Sequence, residues 1–321
     1  MGVTLLNTFL HSYVKNTTKK LNLRDLRGKR IVVDISIYMY RFIATNSLIE
    51  NMYMLCSLFR YYNIHALFIF DGEGRRDEKR ETLLKRKQQK DAAINKFNLY
   101  ELELSKLSNG SKRDDLTAKM DTLRRTFAKL TRSDVENTKA LLDAYGMMYR
   151  VSPGEADELC AALVMKGAAY ACLSEDTDMF IYGCPRVLKY ISLINHTVIL
   201  YDLSIILKKL ELSYDNFKTM CLFSGTDYIS GDTNRNIFHN YDLYKDFKNQ
   251  TCENSTFLKW LLHENYMTCH KHCKICQEIQ RNDDVLDTVL NGTKYFLIRN
   301  KQKNTHDLKQ ILKLDGFVFP N

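Results

Sequence analysis

Arg30-Ile31-Val32-Val33-Asp34 decides the fold. A short apolar, β-branched run follows a basic stretch and ends on a carboxylate, and the design recurs twice. Ala66-Leu67-Phe68-Ile69-Phe70-Asp71-Gly72 repeats it, and Ala168-Ala169-Tyr170-Ala171-Cys172-Leu173-Ser174 runs into Glu175-Asp176-Thr177-Asp178. Runs this short, bounded by polar residues and glycine, suit strands buried on both faces of a parallel sheet. Helix-like segments at 37–62 and 154–166 lie between them. The alternation predicts an α/β fold, a central and mostly parallel sheet flanked by helices. Ligands of such sheets bind at the carboxyl ends of the strands, where Asp34, Asp71, Asp176 and Asp178 fall.

One strand-end aspartate means little, because Asp is also a common helix cap or turn residue. Four carboxylates on three strand ends repel one another unless a cation lies among them. Oxygen-only ligands select hard ions such as Mg²⁺ or Mn²⁺. Ser152-Pro153-Gly154-Glu155-Ala156-Asp157-Glu158 adds acids at the start of a helix, where complementing the helix dipole explains them equally well. In Leu222-Phe223-Ser224-Gly225-Thr226-Asp227-Tyr228 an apolar helix stops near Gly225 and Asp227 follows in a loop.

The 321 residues carry a formal charge of +9, which favours a polyanionic partner. Most of that excess lies in residues 72–132, with 17 Lys or Arg against 10 Asp or Glu and no proline. This stretch reads as one or two exposed helices, either a solvated charged face or a polyanion contact. No apolar run is long enough to span a bilayer. The opening residues lack the basic-then-apolar order of a signal peptide, and Leu6 stands where myristoylation needs Ser or Thr. Nine cysteines then predict free thiols in a reducing, intracellular compartment, or a metal site.

Taken in order, Met1-Gly2-Val3, Val33-Asp34-Ile35-Ser36, Phe70-Asp71-Gly72, Gly154-Glu155-Ala156-Asp157, Glu175-Asp176-Thr177-Asp178 and Gly225-Thr226-Asp227-Tyr228 resemble the flap endonuclease (XPG-type) family, structure-specific nucleases with a PIN-like core. The resemblance covers residues 1–228. It implies that Asp34, Asp71, Glu155, Asp157, Asp176, Asp178 and Asp227 hold two Mg²⁺ ions about 4 Å apart, with Mn²⁺ able to substitute. Asp34, Asp71 and Glu155 would serve one region of the pair and the other four acids the second. It implies a helical arch over the site, with Lys79 and Arg86 reaching the scissile phosphate and Arg80 and Lys85 as substitutes in a shifted alignment. Gly2 and Tyr40 would meet the substrate, Tyr40 by stacking on a nucleobase; otherwise Tyr40 reads as a core aromatic of an amphipathic helix.

The implied organisation is an N-terminal part of the nuclease core (1–71), an arch (72–132), an internal part of the core (133–228), a degenerate helix–two-turn–helix-like region (229–262) and a C-terminal region with a Cys/His cluster (263–321). The implied function is DNA endonuclease and 5′-exonuclease action on flapped, nicked, gapped or branched DNA in replication, repair or recombination. Its alternatives are a nuclease for RNA or RNA–DNA junctions and a binding scaffold without turnover.

The chain also departs from the family. Tyr228-Ile229-Ser230-Gly231-Asp232-Thr233-Asn234-Arg235-Asn236-Ile237 holds a single glycine, which puts the family's potassium site and duplex grip in doubt. The connection between the first two strands leaves little room for a loop that receives a 3′ flap. Cys273-x-x-Cys276 has zinc-compatible spacing, with Cys269, His272, His270, Cys252 and His263 as nearby candidates for the remaining ligands, but no second CxxC pair completes a site. Reduced cysteines in a helical subdomain are the alternative. Leu314-Asp315-Gly316-Phe317-Val318-Phe319 lacks the glutamine-led pattern of a sliding-clamp motif, so it is expected to pack on its own domain. A monomer is expected, from a divergent lineage such as a large DNA virus, working in a nucleus or at a cytoplasmic replication site.

Overall fold

Alternation along three strands builds the centre of the sheet. In the computed structural model, which describes residues 2–72, 80–105, 111–229, 236–250, 256–292 and 297–317, the strands are β1 Lys19–Asn22, β2 Arg30–Asp34, β3 His65–Phe70, β4 Met148–Val151, β5 Ala171–Leu173, β6 Arg186–Ser192 and β7 Thr197–Asp202. Val32, Leu67, Ile69 and Cys172 enter the core on one face of the sheet. Ile31, Val33, Ala66, Phe68, Phe70, Ala171 and Leu173 enter the core on the other. Each fully buried aliphatic side chain contributes roughly 1.5–3 kcal/mol, so neither face can be left to water.

The order is β1-β7-β6-β5-β2-β3-β4. Strands β6, β5, β2, β3 and β4 run parallel, while β7 and β1 close one edge antiparallel. The chain leaves β2 toward β3 on one side and returns to β5 on the other. That reversal opens a crevice at the carboxyl ends of β2 and β5.

Helices cover both faces, as expected. Leu6–Val14, Ala156–Met165 and Tyr214–Ser224 pack on the first face. Ile35–Ile43, Leu48–Tyr61, Arg132–Tyr145 and Thr305–Leu314 pack on the second. The single helix read over 37–62 is two helices, because Asn46 adopts φ 52 and ends the first. Within the charged stretch, Arg80–Leu104 and Ser111–Phe127 form a helical pair, pinned by Phe97 against Phe127 at 5.3 Å between ring centroids.

Residues 297–317 return to the second face instead of staying with the Cys/His region. Asn300 Nδ2 donates to Ile64 O at 2.8 Å, and Lys301 N donates to Gly146 O at 2.6 Å. The Arg60 guanidinium donates to the carbonyls of both Tyr145 and Lys301. Helix Thr305–Leu314 then buries Leu308 and Leu312, and Phe317 reaches Tyr53. Phe317 therefore packs on its own domain; 318–321 lie outside the described residues. Among the described residues no helix is long and apolar enough to cross a membrane.

Candidate active site

Asp34 ends β2 at the sheet's reversal point, with 5 % of its surface exposed. Ser174, just beyond β5, donates its hydroxyl to Asp34 Oδ2 at 3.0 Å. Burial, with Asp71 and Asp176 nearby, pushes the Asp34 carboxyl up to about 8. Two carboxylates from neighbouring strand ends are thus close enough to resist its ionisation.

Helix Ala156–Met165 aims its N-terminus at the same crevice. Asp71 Oδ1 accepts from Ala156 N at 2.9 Å, which satisfies one of the helix's free amides. Glu155 caps this helix by position and accepts a hydrogen bond from the Tyr228 hydroxyl. Asp157, in the first turn, is pushed well above the usual carboxylate range by burial and by Glu155, Asp176, Asp178 and Asp34. Dipole complementation alone would have stabilised ionised acids here, so burial, with the neighbouring acids, outweighs it.

The loop after β5 carries the remaining pair. Asp176 N donates to Ser174 Oγ at 3.1 Å, and Asp178 N donates to Asp176 Oδ1 at 3.1 Å. Gly2 rests on this loop with φ 80. A Cβ there would lie 2.3 Å from Thr177 Oγ1 and 2.4 Å from Asp176 Oδ1, so only glycine fits. Val3 N donates to Thr177 Oγ1 at 2.8 Å, and Thr4 N donates to Gly225 O at 3.3 Å. The chain start thereby ties the β5 loop to the loop holding Asp227.

Asp227 meets the first helix of the charged pair. Arg86 Nη2 donates to both carboxylate oxygens of Asp227, at 2.9 and 2.7 Å. Lys79 lies outside the described residues, and the side chains of Arg80 and Lys85 are likewise not described. Tyr40 is 46 % exposed on helix Ile35–Ile43, while Tyr38 of the same helix is fully buried. The core-aromatic reading belongs to Tyr38, and Tyr40 is left facing solvent.

Among the described residues, no three His, Cys, Asp or Glu side chains stand at the spacing of a closed metal cage. The acids nevertheless fit a divalent ion by their chemistry. They are all-oxygen donors, and the Asp34 and Asp157 carboxyls are raised first by burial and then by neighbouring negative charge that a cation would relieve. Among the described residues the zinc reading finds no support. Cys269, His272, Cys273 and Cys276 lie along one helix, Cys269–Gly292, with the three thiols exposed. Ligands from one helix face need partners from another segment to complete a tetrahedral site, and none is found among the described residues. Cys276 Sγ lies 3.8 Å from His272 Nδ1, while His263 Nδ1 faces Glu264 at 2.9 Å. Cys252 lies outside the described residues.

Family models for the XPG N-terminal domain and the XPG I-region match residues 1–93 and 146–227, together more than half of the chain. The chain belongs to the XPG family. This XPG-family chain is 25% identical over 251 residues to flap endonuclease 1 of Saccharomyces cerevisiae, covering 71% of this chain and 61% of that protein. It is 28% identical over 247 residues to flap endonuclease 1-B of Oryza sativa, covering 71% and 57%. It thus spans about three fifths of the length of these curated relatives.

Solved structures share the fold. The catalytic core of Rad2 in complex with DNA substrate superposes with a TM-score of 0.66 at 21% identity, covering 98% of this chain and 95% of that one. Human GEN1 in complex with Holliday junction DNA gives 0.63 at 18% identity, covering 97% and 72%. Flap endonuclease-1 from Methanococcus jannaschii gives 0.52 at 21% identity, covering 86% and 97%.

Sequence reasoning missed several residues of the XPG site. Ser174 and Tyr228 support acids, and Lys189 lies beneath the β5 loop, its ammonium pushed down to about 8 by burial. Lys189 did leave a signal, as a lone cation inside the apolar run Val187-Leu188-Lys189-Tyr190-Ile191.

Proposed function

We propose that this chain is a structure-specific DNA nuclease that hydrolyses phosphodiester bonds with two divalent ions, Mg²⁺ by preference and Mn²⁺ as a substitute. The observation that carries the reading is the convergence of carboxylates from two strand ends, a helix N-terminus and two loops, with an arch arginine on one of them. Asp34, Asp71, Glu155, Asp157, Asp176, Asp178 and Asp227 would hold the ions. Ions bound there supply positive charge for the phosphate and lower the pKa of attacking water.

The chain's own groups supply the rest. Asp34 must give up its proton to become a ligand, and Ser174 keeps that carboxylate oriented. Tyr228 fixes Glu155 through its hydroxyl. Arg86 must leave Asp227 to reach a phosphate, after which its fork matches the phosphate oxygens. Tyr40 offers an exposed ring for a base to stack on. Flapped, nicked, gapped or branched DNA is the substrate class; the segment 230–235, where the family grips duplex, lies outside the described residues. A DNA substrate implies work in a nucleus or at a cytoplasmic replication site.

Labelled flap, nicked, gapped and single-stranded DNA, with matched RNA controls, would be incubated with Mg²⁺ and the full chain, then with Asp178→Ala. Branched DNA should be cut by the unchanged chain, and loss of one ligand should lower the rate by about 10²-fold or more. Undiminished cleavage by the variant would refute the carboxylate mechanism. Binding without cleavage by the unchanged chain would establish the scaffold instead, and preferential RNA cleavage would replace the DNA assignment.

A further inference from the structure

Lys189 has no exposed surface, although it lies in β6 among Val187, Leu188 and Ile191. Burying an ammonium costs free energy that a methionine of similar volume would not. Its Nζ donates to Glu175 O at 2.7 Å, the carbonyl immediately before Asp176.

The same residue is held from a second side. The register of β6 on β7 slips between Lys189 and Ser192, and Tyr190 adopts φ 57. That turn points the Tyr190 amide at Glu175 Oε1, 2.8 Å away, and the Tyr38 hydroxyl reaches the same oxygen at 3.5 Å. Glu175 is therefore gripped by its carbonyl and its carboxylate together. The hydrogen bonds onward, from Asp176 N to Ser174 and from Asp178 N to Asp176, hang the two acids from this anchor.

We propose that Lys189 is a positioning residue for the metal site. Its bond to the Glu175 carbonyl sets the 175–178 loop so that Asp176 and Asp178 face the cation site beside Asp157. The inference rests on the metal-dependent reading above. Geometry and charge make opposite demands here. A positive charge this near a cation site weakens binding, so its loss alone would tighten Mn²⁺; loss of the loop anchor would loosen it.

The test is Mn²⁺ binding to the full chain by titration calorimetry, for the unchanged protein, Lys189→Met and Lys189→Arg. Lys189→Met should weaken Mn²⁺ about tenfold or more, while circular dichroism still shows a folded, cooperative protein. Its Mg²⁺ half-saturation in cleavage should rise, with turnover recovering at high Mg²⁺ and the KM for DNA unmoved. Lys189→Arg, which keeps the donor, should bind close to the unchanged chain. A folded Lys189→Met that binds Mn²⁺ equally or more tightly overturns the proposal, as does Lys189→Arg binding as poorly as Lys189→Met. If Lys189→Met does not fold, Lys189→Gln, too short to reach the carbonyl, takes its place with the same expectations. No Mn²⁺ binding by the unchanged chain would overturn the nuclease reading as well, which separates the two failures.

Discussion

Asp34 keeps its proton up to about 8 because it is buried and faces Asp71 and Asp176. Folding raises this carboxyl above its ordinary value, so between the two values the folded chain holds a proton that the unfolded chain releases. The associated stability is full below about pH 4 and lost as pH rises through about 8. In chelator, the melting temperature should therefore fall between about pH 6.5 and about pH 8, and Asp34→Asn should shrink that fall. Mg²⁺ should restore the loss, because the cation takes the place of the proton. An identical slope in Asp34→Asn would show that the proton resides elsewhere.

Among the elements, the charged helical pair is tied to the acids by one ion pair. Helix Arg80–Leu104 has little apolar surface to bury; with Ser111–Phe127 the pair buries Ala93 and Met120 and sets Phe97 against Phe127. Arg86 anchors the base of that pair to Asp227, with 36 % of its side chain exposed. Asp227 is the more buried partner, but the guanidinium stays open to solvent, so the pair can open when a phosphate competes for it. Arg86→Ala should leave thermal stability nearly unchanged, lower turnover by about 10²-fold, and move the KM for DNA much less. A variant that loses only DNA affinity would assign Arg86 to binding rather than to the transition state.

For the molecule as a whole, the C-terminal return decides where the cooperative unit ends. Leu308 and Leu312 are buried against helices of the first and internal parts of the chain, not against the Cys/His helix. Leu312→Ala should cost about 2–5 kcal/mol in chemical denaturation, and the whole transition should shift as one. An independent C-terminal unit would instead split the transition and leave the main midpoint in place. The substitution lies far from the acids, so activity per folded molecule should persist.

The sequence alone determined the strand-end acids and the charged helical insertion, because each is a local pattern. Apolar runs must be buried, and a carboxylate at the end of one lands at the sheet's edge. Its motif order also carried the family. The tertiary structure alone decided which helices share a face, that 297–317 closes the core, and that the Cys/His spacing falls on one helix and makes no cage. It also decided that Arg86 meets Asp227 and that Lys189 reaches the carbonyl before Asp176. Those contacts join residues 141 and 14 positions apart. Their existence depends on how the chain's segments are brought together in space, which side-chain periodicity does not encode.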